Sequence, residues 1–366
     1  RVSAEEEIQI TSPSALLMEA STGTILYEKD ADTRRHPASV TKIMTLLLIF
    51  EAIEEGKISL EESAVTSAHA KSMGGSQVFL EEGESQTVET LIKCIVIASG
   101  NDAAVTMAEH IAGTEEAFVA KMNEKAKALG MENTHFEDCC GLTDSTEHYT
   151  SARDIAIMTR ELTTRFPKIF EYSKIWMENI THVTRNGSSE FGLTNTNKLL
   201  RSFEGCTGLK TGSTSMAKFC LSATATRNNI DLISVIMAGP DSKTRFRDAA
   251  ALLTYGFGIC SVYCDEEPPE LPDAMIQNGI KDTVPCHYGN TFSYLSTKNE
   301  NFSEIEKQMM WVEELEAPVE AGQQIGTLSY ILNGKEIGNV PILASEDVKR
   351  ANYIDYLKKA AESWLL

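Results

Sequence analysis

The chain has 366 residues, 42% of them hydrophobic, with 53 acidic against 33 basic side chains and a formal charge of −20. That length exceeds what one hydrophobic core usually fills, so two domains are expected. The acidic balance excludes a nucleic-acid partner, because phosphate binding needs clustered Lys and Arg, which this chain carries only near its C-terminus.

No apolar run reaches the roughly 18 to 20 residues that cross a bilayer. The longest, Leu46 to Phe50, lies inside a helical pattern. The start at Arg1, without Met and without a basic-then-apolar leader, fits an exported chain from which a signal peptide has been removed. Eight cysteines make no disulfide framework and show no C-x-x-C spacing with nearby histidines. No metal or cofactor is expected, and Cys139-Cys140 and Cys260/Cys264 read either as thiols able to oxidise or, more plainly, as buried free thiols.

From Ser14 to Lys29, two short apolar stretches flank Ser21-Thr22-Gly23 and predict an opening hairpin. Pro37 restricts the chain before Ser39, and the breaker-free run from Ser39 to Glu55, stopped by Gly56, predicts a buried central helix. Ser39 then sits in its first turn with Lys42 on the same face. Val88 to Ala98 predicts a second apolar helix, broken at Ser99-Gly100-Asn101 and followed by another from about Asp102 to Ile111, closed by Gly113.

Lys210-Thr211-Gly212 precedes predicted strands at Phe219 to Thr226 and Ile230 to Ala238, and Arg245 to Phe257 closes the domain as a helix. After Gly258 the acidic, proline-rich stretch Asp265 to Pro272 reads as a stiff linker. The segment Ile325 to Leu332, the turn Asn333-Gly334 and Lys335 to Leu343 signal a hairpin in a small β domain. Val348 to Leu366 reads as an amphipathic helix with Val348, Ala351, Ile354, Leu357, Ala361, Trp364 and Leu365 on or near one face. The expected organisation is 1–258, 268–347 and a terminal helix over 348–366.

Three strings carry the chemistry: Ser39-Val40-Thr41-Lys42, Ser99-Gly100-Asn101 and Lys210-Thr211-Gly212. They supply a hydroxyl with an amine one turn away, a second hydroxyl with a carboxamide, and a cation beside a hydroxyl and a bare backbone. Ser-x-x-Lys alone is weak, and Ser215-Met216-Ala217-Lys218 is a second copy at the lead-in to a strand. Ser99-Gly100-Asn101 also reads as a helix C-cap followed by an N-cap, and Lys210-Thr211-Gly212 as a strand-edge turn. Their order and local settings single them out. His36 reads as a packing or capping residue.

These strings, with Gly141-Leu142, Ser151-Ala152-Arg153-Asp154, the opening hairpin and the region Leu315 to Ala344, resemble the low-molecular-weight penicillin-binding proteins, specifically the D-alanyl-D-alanine carboxypeptidases. The resemblance implies an α+β fold: a β-lactamase/transpeptidase-like antiparallel sheet between helical clusters, then a small β-rich domain. It implies Ser39 as nucleophile, Lys42 as its base, Ser99 as proton relay and Asn101 on the substrate's peptide carbonyl. Lys210, Thr211 and Arg245 would hold the terminal carboxylate, Gly212 would permit close approach, and the backbone of Ser39 and Ser213 would form the oxyanion hole. Relatives often carry histidine where Ser213 stands, a departure that bears on rate or pH dependence.

The implied reaction removes the last D-alanine from peptidoglycan stem pentapeptides, with β-lactams as covalent inhibitors. The implied place is the outer face of the cytoplasmic membrane or the cell-wall space, the C-terminal helix touching the membrane surface. A β-lactamase or a DD-endopeptidase on the same fold, or a catalytically weak β-lactam- or wall-binding module, are the alternatives. A β-lactamase would need a water-activating glutamate that no motif identifies.

Overall fold

The computed structural model describes residues 8–364, so the Arg1 start and Leu365 lie outside the described residues. Contacts divide the chain into two compact units, Arg1–Gly258 and Ile259–Leu366.

The first unit is built on a five-stranded antiparallel sheet. Its strands are β1 (Ser14–Glu19), β2 (Thr24–Lys29), β3 (Cys206–Thr214), β4 (Lys218–Arg227) and β5 (Ile230–Gly239), in the order β2-β1-β5-β4-β3. β1 is buried along its whole length. Alternate residues of a strand face opposite sides, so Leu16 and Met18 enter the main core while Leu17 faces the other way.

On the main-core face lie α1 (Lys42–Glu54), α2 (Val88–Ala98), α3 (Asn101–Ala112), α4 (Glu115–Ala128) and α5 (Ala152–Arg165), the last packed on β1, β4 and β5. The closing helix α6 (Ser242–Ile259) covers the opposite face. There Gly256 packs against Leu17 and Leu232, and the Asp248 carboxylate accepts from the Ser12 backbone and hydroxyl. The sheet is thus sandwiched between helices.

α1 is the platform for the site. Ile43, Met44, Leu46, Leu47 and Ile49 are fully buried, and at about 2 kcal/mol each they contribute about 10 kcal/mol. That is enough to offset the several kcal/mol that burying a lysine amine costs. Ser39 does not lie in the α-helix itself, as the sequence reading has it. It sits on a 3-10 turn, Ala38–Thr41, which leads into α1 at Lys42. Ala38, at φ 49°, starts that turn. A 3-10 turn repeats every three residues and stacks side chains i and i+3, so Ser39 and Lys42 are aligned more closely than α-helical spacing would allow.

The second unit contains β6 (Ser261–Cys264), β7 (Cys286–Tyr288), β8 (Ser293–Ser296), β9 (Glu306–Trp311), β10 (Gln324–Leu332) and β11 (Lys335–Ala344). A four-stranded sheet runs β7-β11-β10-β9, and β6 pairs with β8. Asn333 and Gly334 both take positive φ in the β10–β11 turn, as a tight hairpin requires.

Two boundaries differ from the sequence pattern. Residues 259–264, left between the two expected domains, and Asp265, read as the start of the linker, belong to this unit, because β6 pairs with β8 and the Asp265 carboxylate accepts from the Tyr330 hydroxyl and Lys307. The terminal helix starts at Tyr353, not Val348. Val348 bridges to Val319 and is buried in this unit's core, so its apolar character serves packing there. Among the described residues no helix is long and apolar enough to cross a membrane, and no cluster of His, Cys, Asp and Glu has a metal-binding arrangement.

Candidate active site

The site assembles where the 3-10 turn, the α2–α3 junction and strand β3 converge. α2 is capped at its start by the Thr87 hydroxyl, which accepts from Thr90 N, and its end is turned by Ser99 in the left-handed conformation at φ 59°. Gly100 then starts α3. The bend holds the Ser99 hydroxyl, 4% exposed, against the lysines rather than along the helix surface.

Lys42 Nζ lies 2.8 Å from Ser39 Oγ, 3.2 Å from Ser99 Oγ and 3.0 Å from the Cys140 carbonyl. Lys210 Nζ lies 2.9 Å from the same Ser99 Oγ and 2.9 Å from the Thr211 carbonyl. One hydroxyl therefore bridges two amines. Neither amine is hydrogen-bonded to a carboxylate, and both side chains are buried. Burial, the leading cause, lowers the pKa of Lys42, while the surrounding thiols, Asp138 and Asp102 oppose the shift. Burial lowers Lys210 well below the ordinary lysine range, and the positive charges of Lys42 and Arg245 add to it.

Gly212 meets the Ser39 turn directly: a Cβ there would lie 2.7 Å from Ser39 N and 2.9 Å from Val40 N. Only glycine lets β3 come so near. Gly141 plays the same part from another side, at φ 82°, where a Cβ would meet the Ala38 carbonyl at 1.7 Å. Ser213 follows at the exposed end of β3.

Asn101 is 2% exposed. Its Nδ2 donates one hydrogen to Gly74 O at 2.8 Å and keeps a second, while Oδ1 is buried without a partner. Arg245 is hydrogen-bonded to neither Ser39 nor the lysines, though its charge acts on Lys210. It is buried behind β3, where Nη1 donates to the carbonyls of Gly212 at 3.4 Å and Cys220 at 3.2 Å, and Nε has no partner. Burial lowers it to about 10. The second Ser-x-x-Lys copy falls on the exposed β3–β4 turn, with Lys218 at φ 57°. His36 caps the Ser39 turn, its Nδ1 accepting from Ala38 N.

Three contributors carry no motif. Asp102 accepts from the backbone of Val78 and Leu80 and ties the 74–80 segment to the start of α3. Its place directly after Ser99-Gly100-Asn101 is a signal that sequence reading can use. The Cys140 carbonyl and Thr196, whose Oγ1 is 2.6 Å from Thr211 Oγ1, have no such signal, because both arrive through folding.

Known proteins resemble this chain over most of its length. The family described as D-alanyl-D-alanine carboxypeptidase matches residues 1–241, and the penicillin-binding protein 5 C-terminal domain matches residues 270–350. The chain is 38% identical to D-alanyl-D-alanine carboxypeptidase DacF of Bacillus subtilis, over 98% of this chain and 91% of that protein. It is 32% identical to DacA of Escherichia coli, over 97% and 89%. Among solved structures, penicillin-binding protein 5 of Haemophilus influenzae is similar with a TM-score of 0.70 and 31% identity, covering 93% of this chain and 98% of that one.

Proposed function

The chain belongs to the D-alanyl-D-alanine carboxypeptidase family, and on that premise we propose that Ser39 is the nucleophile with which this serine-type, penicillin-binding carboxypeptidase releases the terminal D-alanine of peptidoglycan stem pentapeptides. One observation carries the assignment: Lys42 Nζ touches both Ser39 Oγ and Ser99 Oγ, and Lys210 touches the same Ser99 Oγ, with no acid in the network.

Two buried amines this close hold one positive charge in place of two. Neutral Lys42 takes the proton from Ser39 as Ser39 Oγ attacks the carbonyl carbon of the penultimate D-alanine. The oxyanion forms against the backbone N–H groups of Ser39 and Ser213; losing one such donor typically costs about a hundred- to a thousandfold in rate. Ser99, between the amines, passes a proton to the departing D-alanine nitrogen as the C–N bond breaks. Water then attacks the ester on Ser39 and frees the shortened peptide.

Lys210 and Thr211 bind the terminal carboxylate, and Asn101 binds the substrate's peptide carbonyl through its spare Nδ2 hydrogen. Arg245 acts from behind the strand, its charge supporting the carboxylate site and its guanidinium holding the Gly212 backbone. β-Lactams offer a strained amide and a carboxylate to the same groups and acylate Ser39. The proposed location is outside the cytoplasmic membrane, in the cell-wall space. There the helix Tyr353–Trp364, which exposes Tyr353, Ile354, Tyr356 and Leu357, rests on the membrane surface.

Intact-mass spectrometry after incubation with penicillin tests this reading. The wild-type chain gains one antibiotic mass and Ser39→Ala gains none, and the wild type releases D-alanine from a diacetyl-Lys-D-Ala-D-Ala peptide. An adduct on Ser39→Ala removes Ser39 as nucleophile. Rapid multiple-turnover hydrolysis of a chromogenic cephalosporin favours a β-lactamase instead.

A further inference from the structure

Two buried histidines outside the reacting network grip the turn that carries Ser39. His36 is 7% exposed and His148 1%. The Nδ1 of His36 accepts from Ala38 N at 3.0 Å, and its Nε2 lies 2.6 Å from the Thr143 carbonyl. The Nδ1 of His148 accepts from Glu137 N at 2.9 Å, and its Nε2 lies 2.8 Å from Thr41 Oγ1.

These partners assign the tautomers. A ring nitrogen that accepts an N–H carries no proton, and a carbonyl can only accept, so both rings are neutral with hydrogen on Nε2. His36 thereby bridges Ala38 N to Thr143 O, and His148 bridges Glu137 N to the Thr41 hydroxyl. Ala38 and Thr41 are the first and last residues of the 3-10 turn holding Ser39. The loop on the far side of both bridges also supplies the Cys140 carbonyl that holds Lys42 and the Gly141 surface against Ala38 O.

We propose that His36 and His148 are positioning residues that pin the Ser39–Lys42 turn to the 136–148 loop only while both rings are neutral, so that protonating either one loosens the turn and slows acylation. The proposal rests on Ser39 being the nucleophile. A proton on Nδ1 would turn each accepting nitrogen into a donor facing a backbone N–H. The rings are 5.0 Å apart, so a charge on one also disfavours a charge on the other. Asp138 faces both rings and favours protonation, as does Asp144 beside His36, whereas His135 opposes it at His148. The Asp138 carboxylate is occupied by the backbone N–H groups of Cys140, Gly141 and Thr143. Burial outweighs these charges, lowering His36 and bringing His148 to about 4.

Acylation of the full chain by a fluorescent penicillin, followed by stopped flow from about pH 4 to 8, separates the noncovalent constant from the bond-forming step. His36→Ala and His148→Ala slow the bond-forming step about 10- to 100-fold at neutral pH with the noncovalent constant near wild type, as expected for lost alignment. His36→Asn, whose carboxamide oxygen can accept the same Ala38 N–H, recovers to within about threefold. Below about pH 5 the wild-type rate falls more steeply than one proton allows. His36→Asn and His148→Gln, which do not titrate, flatten that limb.

Alanine variants that acylate at the wild-type rate per folded molecule overturn the proposal, and melting curves supply that normalisation. An acid limb left unchanged by both amide variants overturns it as well. Ser39→Ala in the same series separates the two failures, because an adduct on that variant strikes the nucleophile assignment and leaves the histidine rates to be read on their own.

Discussion

Each unit sets lysine amines against polar groups, buried in the first and partly exposed in the second, and the two solutions are opposite. In the second unit Lys307 Nζ meets the Asp265 carboxylate at 2.7 Å, and the Tyr330 hydroxyl completes the carboxylate's shell. Burial alone would raise Asp265, but these partners outweigh it and hold its pKa low. In the first unit Lys42 and Lys210 face hydroxyls, carbonyls and each other, with no carboxylate bonded to either. The ion pair gives Asp265 a fixed charge and nothing to react with. The lysine pair is left under-compensated, which lowers its pKa values and makes an amine available as a base. A site that raises folding cost locally is where sequence and stability should part company.

The largest expected effect breaks that contrast from the first unit. Lys42→Met replaces the amine with an apolar chain of similar length, and acylation by penicillin falls about a thousandfold or more, in the range that loss of a general base and its alignment produces. Thermal melting of the same variant stays level or rises, because a buried uncompensated charge has been removed. A fall in melting temperature with acylation intact would make Lys42 structural. In the wild type, acylation rises with pH as the amine loses its proton, and because burial lowers that pKa the rise is centred below the ordinary lysine range. A pH–rate profile with its rise centred at that ordinary value contradicts the depressed base.

Acid stability sharpens the contrast at an intermediate scale. His148 titrates near 6.5 when unfolded and at about 4 when folded. As pH falls, the unfolded chain takes up its proton first, so stability is full above the upper value and is lost between the two, by about 3 kcal/mol. Chemical denaturation at several pH values reads this directly. His148→Gln loses the steepness of that decline, and an unchanged decline means other groups control it.

The smallest effect belongs to the second unit. Asp265→Ala destabilises it by about 2 kcal/mol, less than a fully buried pair would lose. Lys307 keeps a quarter of its side chain exposed, at 26%, and can turn toward water. Acylation is unaffected, and a large change in the acylation rate would show that this ion pair serves the reaction.

Local signals explain what reading the chain recovers. The apolar run after Ser39, the alternating strand at Ile325 to Leu332, the Asn333-Gly334 turn and the Val88–Ala98 helix all follow from hydrophobic spacing and turn chemistry, which are nearest-neighbour properties. Val348 misleads for the same reason. Its apolar side chain fits a helical stripe in sequence, but a bridge to Val319 claims it for a β core. Asp265, read as linker, is held by Lys307 and Tyr330, two partners far along the chain.

The sequence by itself determined which side chains are available for acyl transfer and the local elements that present them: a hydroxyl and an amine three apart ahead of a buried helix, a serine at a helix break, and a lysine beside a glycine on a strand. Tertiary structure alone decided that Lys42 and Lys210, 168 positions apart in the chain, share the Ser99 hydroxyl. It also set the Cys140 carbonyl against Lys42, sent the Arg245 guanidinium to the Gly212 and Cys220 carbonyls, and brought His148 to the Ser39 turn beside the sequence-adjacent His36. The physical reason is that hydrogen bonding and desolvation depend on distances of a few ångströms between remote segments, and those distances exist only once the core has closed.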